Sequence, residues 1–323
     1  MPLNEDSLAD LELLEYWHRH PVANDSSDAM RHVQYDYVRL GFSHHYLLNS
    51  ILAVAALQLF SEDRSGVKWY ARAVAHQQAA ISRARPHFQL LDEAHSRALL
   101  GFSAFTSMYA AAEPVLRPAR MFSPQTQFNP VEELIHGLRF GRCTRAFVQQ
   151  KFGPQITSDA WLLVNFGSSH LEFAQDLEVS FPQLALLQDC IEDRCNGRQR
   201  AVCLHAVKLL FHNIATFLRN PENPGHIMQV WGWGLEVQEV FLDMCSEQHA
   251  VALIILAHFP VLMSFKTGHW CTRNWPGILF EHIVRVLGDE WEDVLKWPRD
   301  VMHGAVIPPL SMATHYRLAS VES

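Results

Sequence analysis

Apolar residues recur along most of the chain at steps of three and four positions, which is the period of an amphipathic helix. The clearest example is residues 66–85, where Pro86 supplies a stop. A second stripe runs along the next helix, which the pattern ends near Pro114. Runs in which β-branched residues alternate with polar ones are nearly absent. The pattern therefore predicts an all-α fold without a sheet.

Proline and glycine divide the rest of the chain into further helices. Four prolines between residues 114 and 130 predict a surface loop or a lid, and residues 220–225 (NPENPG) predict a break. Helices are predicted over 130–150, 168–180, 182–194, 199–219, 226–246, 248–265, 275–287 and 289–304. Because no long linker divides the chain, we expect residues 1–323 to form a single helical domain of roughly ten or more helices. A flexible start at 1–7 and a tail at 305–323 complete this prediction.

Composition and charge narrow the class of protein. The chain is 49% hydrophobic and 19% charged, which is enough to bury a large core and far from the composition of disordered chains. The formal net charge is −8, whereas a nucleic-acid binder usually carries a basic stripe. The basic clusters, such as Arg83 with Arg85, are typical of solvated helix faces.

The six cysteines favour an intracellular protein with reduced thiols, because no pair has Cys-x-x-Cys spacing and their spread does not match a structural zinc site. The first residues, MPLNEDSLADLELLEYW, are acidic and do not resemble a secretory or mitochondrial leader. We therefore expect a cytoplasmic location. The apolar stretches 47–60 and 250–265 are shorter than the roughly 20 residues that a membrane span needs, so they are predicted to be buried helices.

Signatures of common catalytic classes are missing from the sequence. It contains neither a glycine-rich phosphate loop nor a zincin motif nor a nucleophile elbow, and no aspartate-rich patch for magnesium and diphosphate. We expect no cofactor and no metal. Of the 19 histidines, His205 and His212 share a helix face but lack a third ligand. One or two histidines are candidates for a general acid or base, but the sequence does not say which.

Several phrases resemble a known family. They are SHHYLLNSILAVAALQLF at 43–60, GVKWYARAVAHQQAAISRARP at 66–86, HSRALLGFSAFTSMYAAAEP at 95–114 and HWCTRNWPGILFEHIVRVLGDEWEDVLKWPRDVMHG at 269–304. These are similar to the C-terminal regulatory domain of fungal zinc-cluster transcription factors of the sterol-responsive type. The resemblance extends from about Leu8 to Gly304 and leaves no room upstream for a six-cysteine zinc cluster. It implies an all-helical body that encloses an apolar cavity for a sterol-like or terpenoid molecule, without direct binding to nucleic acid.

Aromatic and methionine side chains lie on the helices that the resemblance brings around one core. In residues 226–241, for instance, tryptophans alternate with glycines, and such a pattern can line a cavity or simply fill a core. The predicted ligand-binding residues are Phe105, Met108, Tyr109, Phe211, Met228, Trp231, Phe259, Met263 and Trp270.

Two functions remain open from the sequence. In the first, the cavity folds a terpenoid- or polyketide-like substrate into a reactive geometry, as a cofactor-independent cyclase or isomerase of fungal secondary metabolism. In the second, the protein is a ligand-sensing transcriptional coregulator without a DNA-binding domain of its own, located in the nucleus. A simple carrier is a weaker third option. The candidate partners are an apolar small molecule, a second copy of the chain or a transcription factor.

Overall fold

The computed structural model describes residues 4–22, 28–89, 93–118, 128–152, 177–219, 226–265 and 268–304. Of these residues, 87% are helical, and no strand occurs among them. The all-α prediction is therefore confirmed. The chain divides into two compact units, of which the first contains Met1–Gln127, Gly137–Asn165 and His269–Cys271 and the second contains Phe128–His136, Phe166–Gly268 and Thr272–Ser323. One domain over the whole chain stays a prediction.

The helices follow one another along the chain in this order. The chain begins with α1 (Glu5–Arg19), α2 (Asp28–Ser43), α3 (His45–Glu62), α4 (Val67–Ala84), a 3-10 helix (Arg85–Gln89), α5 (Glu93–Leu116) and α6 (Pro130–Phe152). It continues with α7 (Leu177–Ser180), α8 (Pro182–Arg194), α9 (Gly197–Arg219), α10 (His226–Glu236), α11 (Glu239–Ser246), α12 (Ala250–Ser264), α13 (Trp275–Leu287), a 3-10 helix (Asp289–Trp291) and α14 (Glu292–Met302).

The first unit is built around α3. This helix is apolar on nearly all sides and is almost continuously buried from Ser50 to Gln58, which confirms the prediction of a buried helix at 47–60. It packs against α1, α2, α4 and α5. On α5, Gly101 lets the ring of Tyr37 approach closely, because a Cβ at this glycine would lie 2.4 Å from Tyr37 Cε1.

The second unit is built around α12. Every residue from Val251 to Met263 is buried, so the prediction of a buried helix at 250–265 is also confirmed. The helix packs against α9, α13 and α14. Because α12 is surrounded by other helices, its single histidine, His258, is enclosed as well.

One helix of the described chain, α9, is long and apolar enough to cross a membrane, and 56% of its apolar window is buried. The pair α11 and α12 passes the same test together but is bent by 104°. A mostly buried core helix has the same length and composition, so this finding is weak evidence for a span.

Three boundaries differ from the sequence prediction. The helix expected over 226–246 is two helices, because the backbone at Gln238 is extended (φ −65°, ψ 147°) between α10 and α11. Helix α5 continues to Leu116, two residues past Pro114, at which it was predicted to end. Residues 5–7, expected to be flexible, form the first turn of α1, where Asn4 Oδ1 accepts a hydrogen bond from Ser7 N at 2.7 Å. Residues 168–176 and 305–323 lie outside the described residues.

Candidate functional site

The nine predicted ligand-binding residues are divided between the two units. Phe105, Met108, Tyr109 and Trp270 belong to the first unit, and Phe211, Met228, Trp231, Phe259 and Met263 belong to the second. A cavity that contains all nine stays a prediction.

In the first unit, Phe105 and Tyr109 pack as core. The ring of Phe105 meets Trp17 edge-on with centroids 5.2 Å apart, and Tyr37 in the same way at 5.6 Å. Tyr109 is buried, and burial beside Glu113 raises the pKa of its phenol, so it is a proton donor and not a base. Met108 is only partly buried.

In the second unit, two predicted residues meet in an aromatic cluster between α10, α12 and α13. The centroid of Phe259 is 6.5 Å from that of Trp231, which is itself 6.3 Å from Trp275. Trp233 approaches Phe259 to 4.6 Å and donates from Nε1 to Ala206 O at 2.9 Å. Trp233 is fully buried, whereas Trp231 is partly exposed.

The other predicted residues of this unit have different surroundings. Met263 lies one turn after Phe259 on α12 and is fully buried. Met228 lies on α10, but its side chain is outside the described part of the chain. Phe211 on α9 packs against Phe181 at 5.3 Å and against Trp297 at 5.6 Å.

Beside Phe211 lies a residue that the sequence did not single out, His258. Its side chain is 1% exposed. Nδ1 lies 2.8 Å from Ile254 O, one turn back on α12. The ring is 5.8 Å from Trp297, nearly parallel to it, and 6.3 Å from Phe211. Nε2 is buried and has no hydrogen-bond partner among the described residues.

Burial determines the charge of this imidazole. Removal from water lowers the pKa of His258 to about 4, and the hydrogen bond to Ile254 O opposes this only in part. The ring is therefore neutral at pH 7. Because a carbonyl oxygen can only accept, Nδ1 carries the proton and Nε2 carries a free lone pair.

An acceptor of this kind is costly if nothing binds it. Leaving a buried polar atom without a partner costs about 1–3 kcal/mol. A hydrogen-bond donor brought in by a ligand or by an ordered water would remove that cost. We refer to His258, Phe211, Trp297 and Phe181 as the His258 site, which combines one acceptor with three aromatic rings.

The described residues offer little for a metal. No group of three His, Cys, Asp or Glu among them is placed to hold an ion. The histidine of the His258 site is surrounded by rings and not by further ligands. The chemistry available at this site is therefore hydrogen bonding and proton transfer in an apolar environment.

A separate hollow in the second unit is a weaker candidate. It has a cavity volume of about 10 Å³ and is lined by Glu132, Gln248, Leu253 and His282 among others. Pockets for drug-sized ligands usually have volumes of roughly 300–1,000 Å³. This hollow is therefore small for a polycyclic molecule.

Comparison with known proteins adds no relative: no protein-family model, no curated protein and no solved structure matches the chain. The resemblance to the fungal regulatory domain stays a prediction.

Sequence reasoning missed His258 and Trp297, although a signal was present for the first. His258 is the one imidazole inside the 16-residue apolar stretch 250–265. A histidine at such a position is expected to have either a hydrogen-bond partner or a function, because an unpaired polar group in an apolar core costs free energy. Trp297 had no comparable signal, since its approach to His258 depends on the packing of α14 against α12.

Proposed function

We propose that the second unit binds an apolar small molecule of the terpenoid or polyketide type, with His258 as its polar anchor. The observation that carries this proposal is that Nε2 of a neutral imidazole, beside Phe211 and Trp297, has no hydrogen-bond partner in the part of the chain that the structure describes. A hydroxyl group of the ligand would donate to Nε2, and its hydrocarbon part would contact the rings. Sites of this class are mostly apolar with a few placed polar groups.

We further propose that the bound molecule undergoes a cyclisation or isomerisation without a cofactor. Nε2 of His258 accepts a proton from an enol hydroxyl or from a carbon next to a carbonyl, which leaves an enolate. The electron pair of the enolate moves the double bond, and the imidazolium returns the proton to another carbon. Atoms and electrons balance within the ligand and the histidine. Because the apolar surroundings disfavour the imidazolium, the proton returns to the ligand quickly. Positioning of the ligand can contribute about 7–11 kcal/mol to the lowering of the barrier.

A second candidate function is ligand sensing without conversion, in which a transcription-factor partner reads the bound state. The low pKa of His258, about 4, favours this alternative because it makes the imidazole a weak base but leaves it a good hydrogen-bond acceptor. The two functions share the site and differ in what happens to the ligand.

Binding is tested by thermal unfolding with matched ligand pairs. Terpenoid alcohols ranging from acyclic farnesol to a tetracyclic sterol are each compared with their methyl ethers, which cannot donate. We expect at least one alcohol to raise the Tm of the wild type more than its ether does, because a ligand of the native state stabilises it. In His258→Phe, which keeps an aromatic ring but lacks the acceptor, the difference should vanish. If no alcohol raises the Tm, or if His258→Phe responds like the wild type, the proposed anchor is wrong.

Conversion is tested separately with a hydroxyketone related to the alcohol that binds, because the proposed step needs a carbon next to a carbonyl. In D2O, an isomerase that uses His258 should transfer deuterium to a ligand carbon, and His258→Phe should not. Stable binding with neither deuterium uptake nor an isomerised product would support the sensing function and exclude proton transfer by His258.

A further inference from the structure

A second polar arrangement lies in the first unit, at the segment His269–Cys271. The Sγ atom of Cys271 is 3.0 Å from Nδ1 of His269. On the other side of the ring, Nε2 lies 3.1 Å from Val22 O. Since the carbonyl can only accept, Nε2 carries the proton, and Nδ1 is the acceptor of the ring, which accepts from the backbone N of Cys271 at 3.3 Å and also faces the hydrogen of the thiol.

The carbonyl that orients the imidazole is itself held in place. Gln34, which is 5% exposed, accepts a hydrogen bond from Val22 N at 3.4 Å. Its Nε2 donates to Trp17 O at 2.9 Å and to His20 O at 3.3 Å. The turn that ends in Val22 is thus fixed at three points, and the tautomer and orientation of His269 follow from it.

The other buried cysteines have different neighbours. Burial raises the pKa of Cys203 to about 12, and Cys195 is its hydrogen-bonded neighbour. The Sγ of Cys245 lies 3.8 Å from Ala252 O, and burial raises its pKa as well. Neither thiol contacts a base among the described residues, so both are expected to be inert. The imidazole contact distinguishes Cys271 from them.

A thiol, a base and a group that orients the base are the three parts of an activated nucleophile. We propose that Cys271 is a covalent site for small, uncharged α,β-unsaturated carbonyl compounds, with His269 as its proton acceptor. This inference is independent of the His258 site.

The reaction balances without a further reagent. The thiol proton moves to Nδ1 of His269, and the sulfur forms a bond with the β-carbon of the electrophile. The π bond breaks, and its electron pair moves through the carbonyl to give an enolate. The imidazolium then protonates the α-carbon and becomes neutral again. Because Cys271 is 3% exposed and His269 is 1% exposed, small and uncharged electrophiles are favoured over bulky or charged ones.

The test uses the full chain and methyl vinyl ketone at substoichiometric amounts, with adducts located by peptide mass spectrometry. Cys143 is exposed and serves as the internal reference for an unassisted thiol. We expect the adduct at Cys271 to form faster than that at Cys143 at pH 6, in spite of its burial. Cys271→Ser should lose this adduct and no other. Adducts at Cys143 without any at Cys271 across pH 6–8 would overturn the proposal.

The role of the base is tested with His269→Gln. Its amide nitrogen can still donate to Val22 O, but its amide oxygen is too weak a base to take the proton of the thiol. We expect the rate at Cys271 to fall about 100-fold or more, with the rate at Cys143 unchanged. An unchanged Cys271 rate in a variant that unfolds at the wild-type temperature would show that the imidazole is not its base. If the variant does not fold, the wild-type ratio of Cys271 to Cys143 adducts still decides the proposal.

Discussion

At His258, the surroundings decide which nitrogen is available and in which charge state. The carbonyl of Ile254 accepts a hydrogen bond from Nδ1–H, and Nε2 has no partner among the described residues. Neither the tautomer nor the charge of this imidazole follows from the presence of a histidine in an apolar stretch of sequence. The sequence could indicate that such a histidine needs an explanation, but the packing of Trp297 against it arises only from the folded chain.

The burial of His258 predicts a dependence of stability on pH. Its pKa is about 4 in the folded state, against 6.5 for the free side chain, so the unfolded state binds the proton first as the pH falls. The penalty is absent above pH 6.5, grows between 6.5 and 4, and amounts to about 3 kcal/mol below 4. Burial also lowers the pKa of His76, His212 and His282, which act with the same sign.

The contribution of His258 is therefore measured as the difference in pH dependence of stability between the wild type and His258→Phe. Urea unfolding from pH 7 to pH 4 should show that wild-type stability falls by about 3 kcal/mol more than that of His258→Phe. Parallel curves for the two proteins would mean that His258 is not neutral and buried.

The two tryptophans of α10 separate core packing from ligand contact. Trp233 is fully buried and donates to Ala206 O, so Trp233→Ala should cost about 3–5 kcal/mol of stability. Trp231 is partly exposed, so Trp231→Ala should cost less. If Trp231 contacts the ligand, its variant should fold but bind the terpenoid alcohol more weakly. Gross unfolding of Trp231→Ala, together with no ligand stabilisation of the wild type, would contradict the predicted pocket.

At the scale of helices, periodicity and proline were reliable guides. Pro86 lies outside the α-helices, as predicted. Residues 220–225 lie outside the described residues. Helix α8 begins and ends at the predicted residues. The sequence did not predict the break between α10 and α11, because Val237 and Gln238 are neither proline nor glycine. Pro114 was read as a stop, yet α5 continues for two more residues.

Two glycines inside helices should respond oppositely to alanine. At Gly101 a Cβ would lie 2.4 Å from the Tyr37 ring, which is buried and held edge-on against Phe105, so Gly101→Ala should cost about 1–3 kcal/mol. At Gly137 the nearest atom, Ala110 O, is 3.7 Å away, so Gly137→Ala should gain up to about 1 kcal/mol from helix propensity. Chemical denaturation compares both with the wild type. Equal stability of the two variants would contradict the packing of α2 against α5.

The start of α1 depends on its cap. Asn4 satisfies the backbone N–H of Ser7, and α1 contributes Leu13, Tyr16 and Trp17 to the core of the first unit. Asn4→Ala should therefore cost about 1 kcal/mol, whereas Asn4→Asp, which retains an acceptor, should be near neutral. A common midpoint for both variants in urea would show that the cap does not contribute.

At the scale of the whole molecule, composition and periodicity predicted the fold class but did not predict which residues form the candidate site. A chain with 49% hydrophobic residues and helical periodicity had to bury several helices. The nine predicted residues are all aromatic or sulfur-containing, and such side chains fill cores as well as line cavities. Phe105 packs as core, whereas Phe211 lies beside His258, and the difference comes from which helices meet.

The net charge gives a prediction for nucleic acid. With a formal charge of −8, the purified chain should not bind duplex DNA specifically, and weak binding should fade between low and physiological salt. A gel-shift assay with random and selected duplexes measures this. A sequence-specific shift at physiological salt would contradict the prediction.

The central claim, that His258 presents a free acceptor to a ligand, is tested most directly by NMR of the protein with ¹⁵N-labelled histidine. His258 is assigned by the loss of its signals in His258→Phe. The account predicts a neutral ring at pH 7 with its proton on Nδ1, and a change at Nε2 when the terpenoid alcohol, but not its methyl ether, is added. A proton on Nε2 at pH 7, or a signal that does not respond to any alcohol that binds, would contradict it.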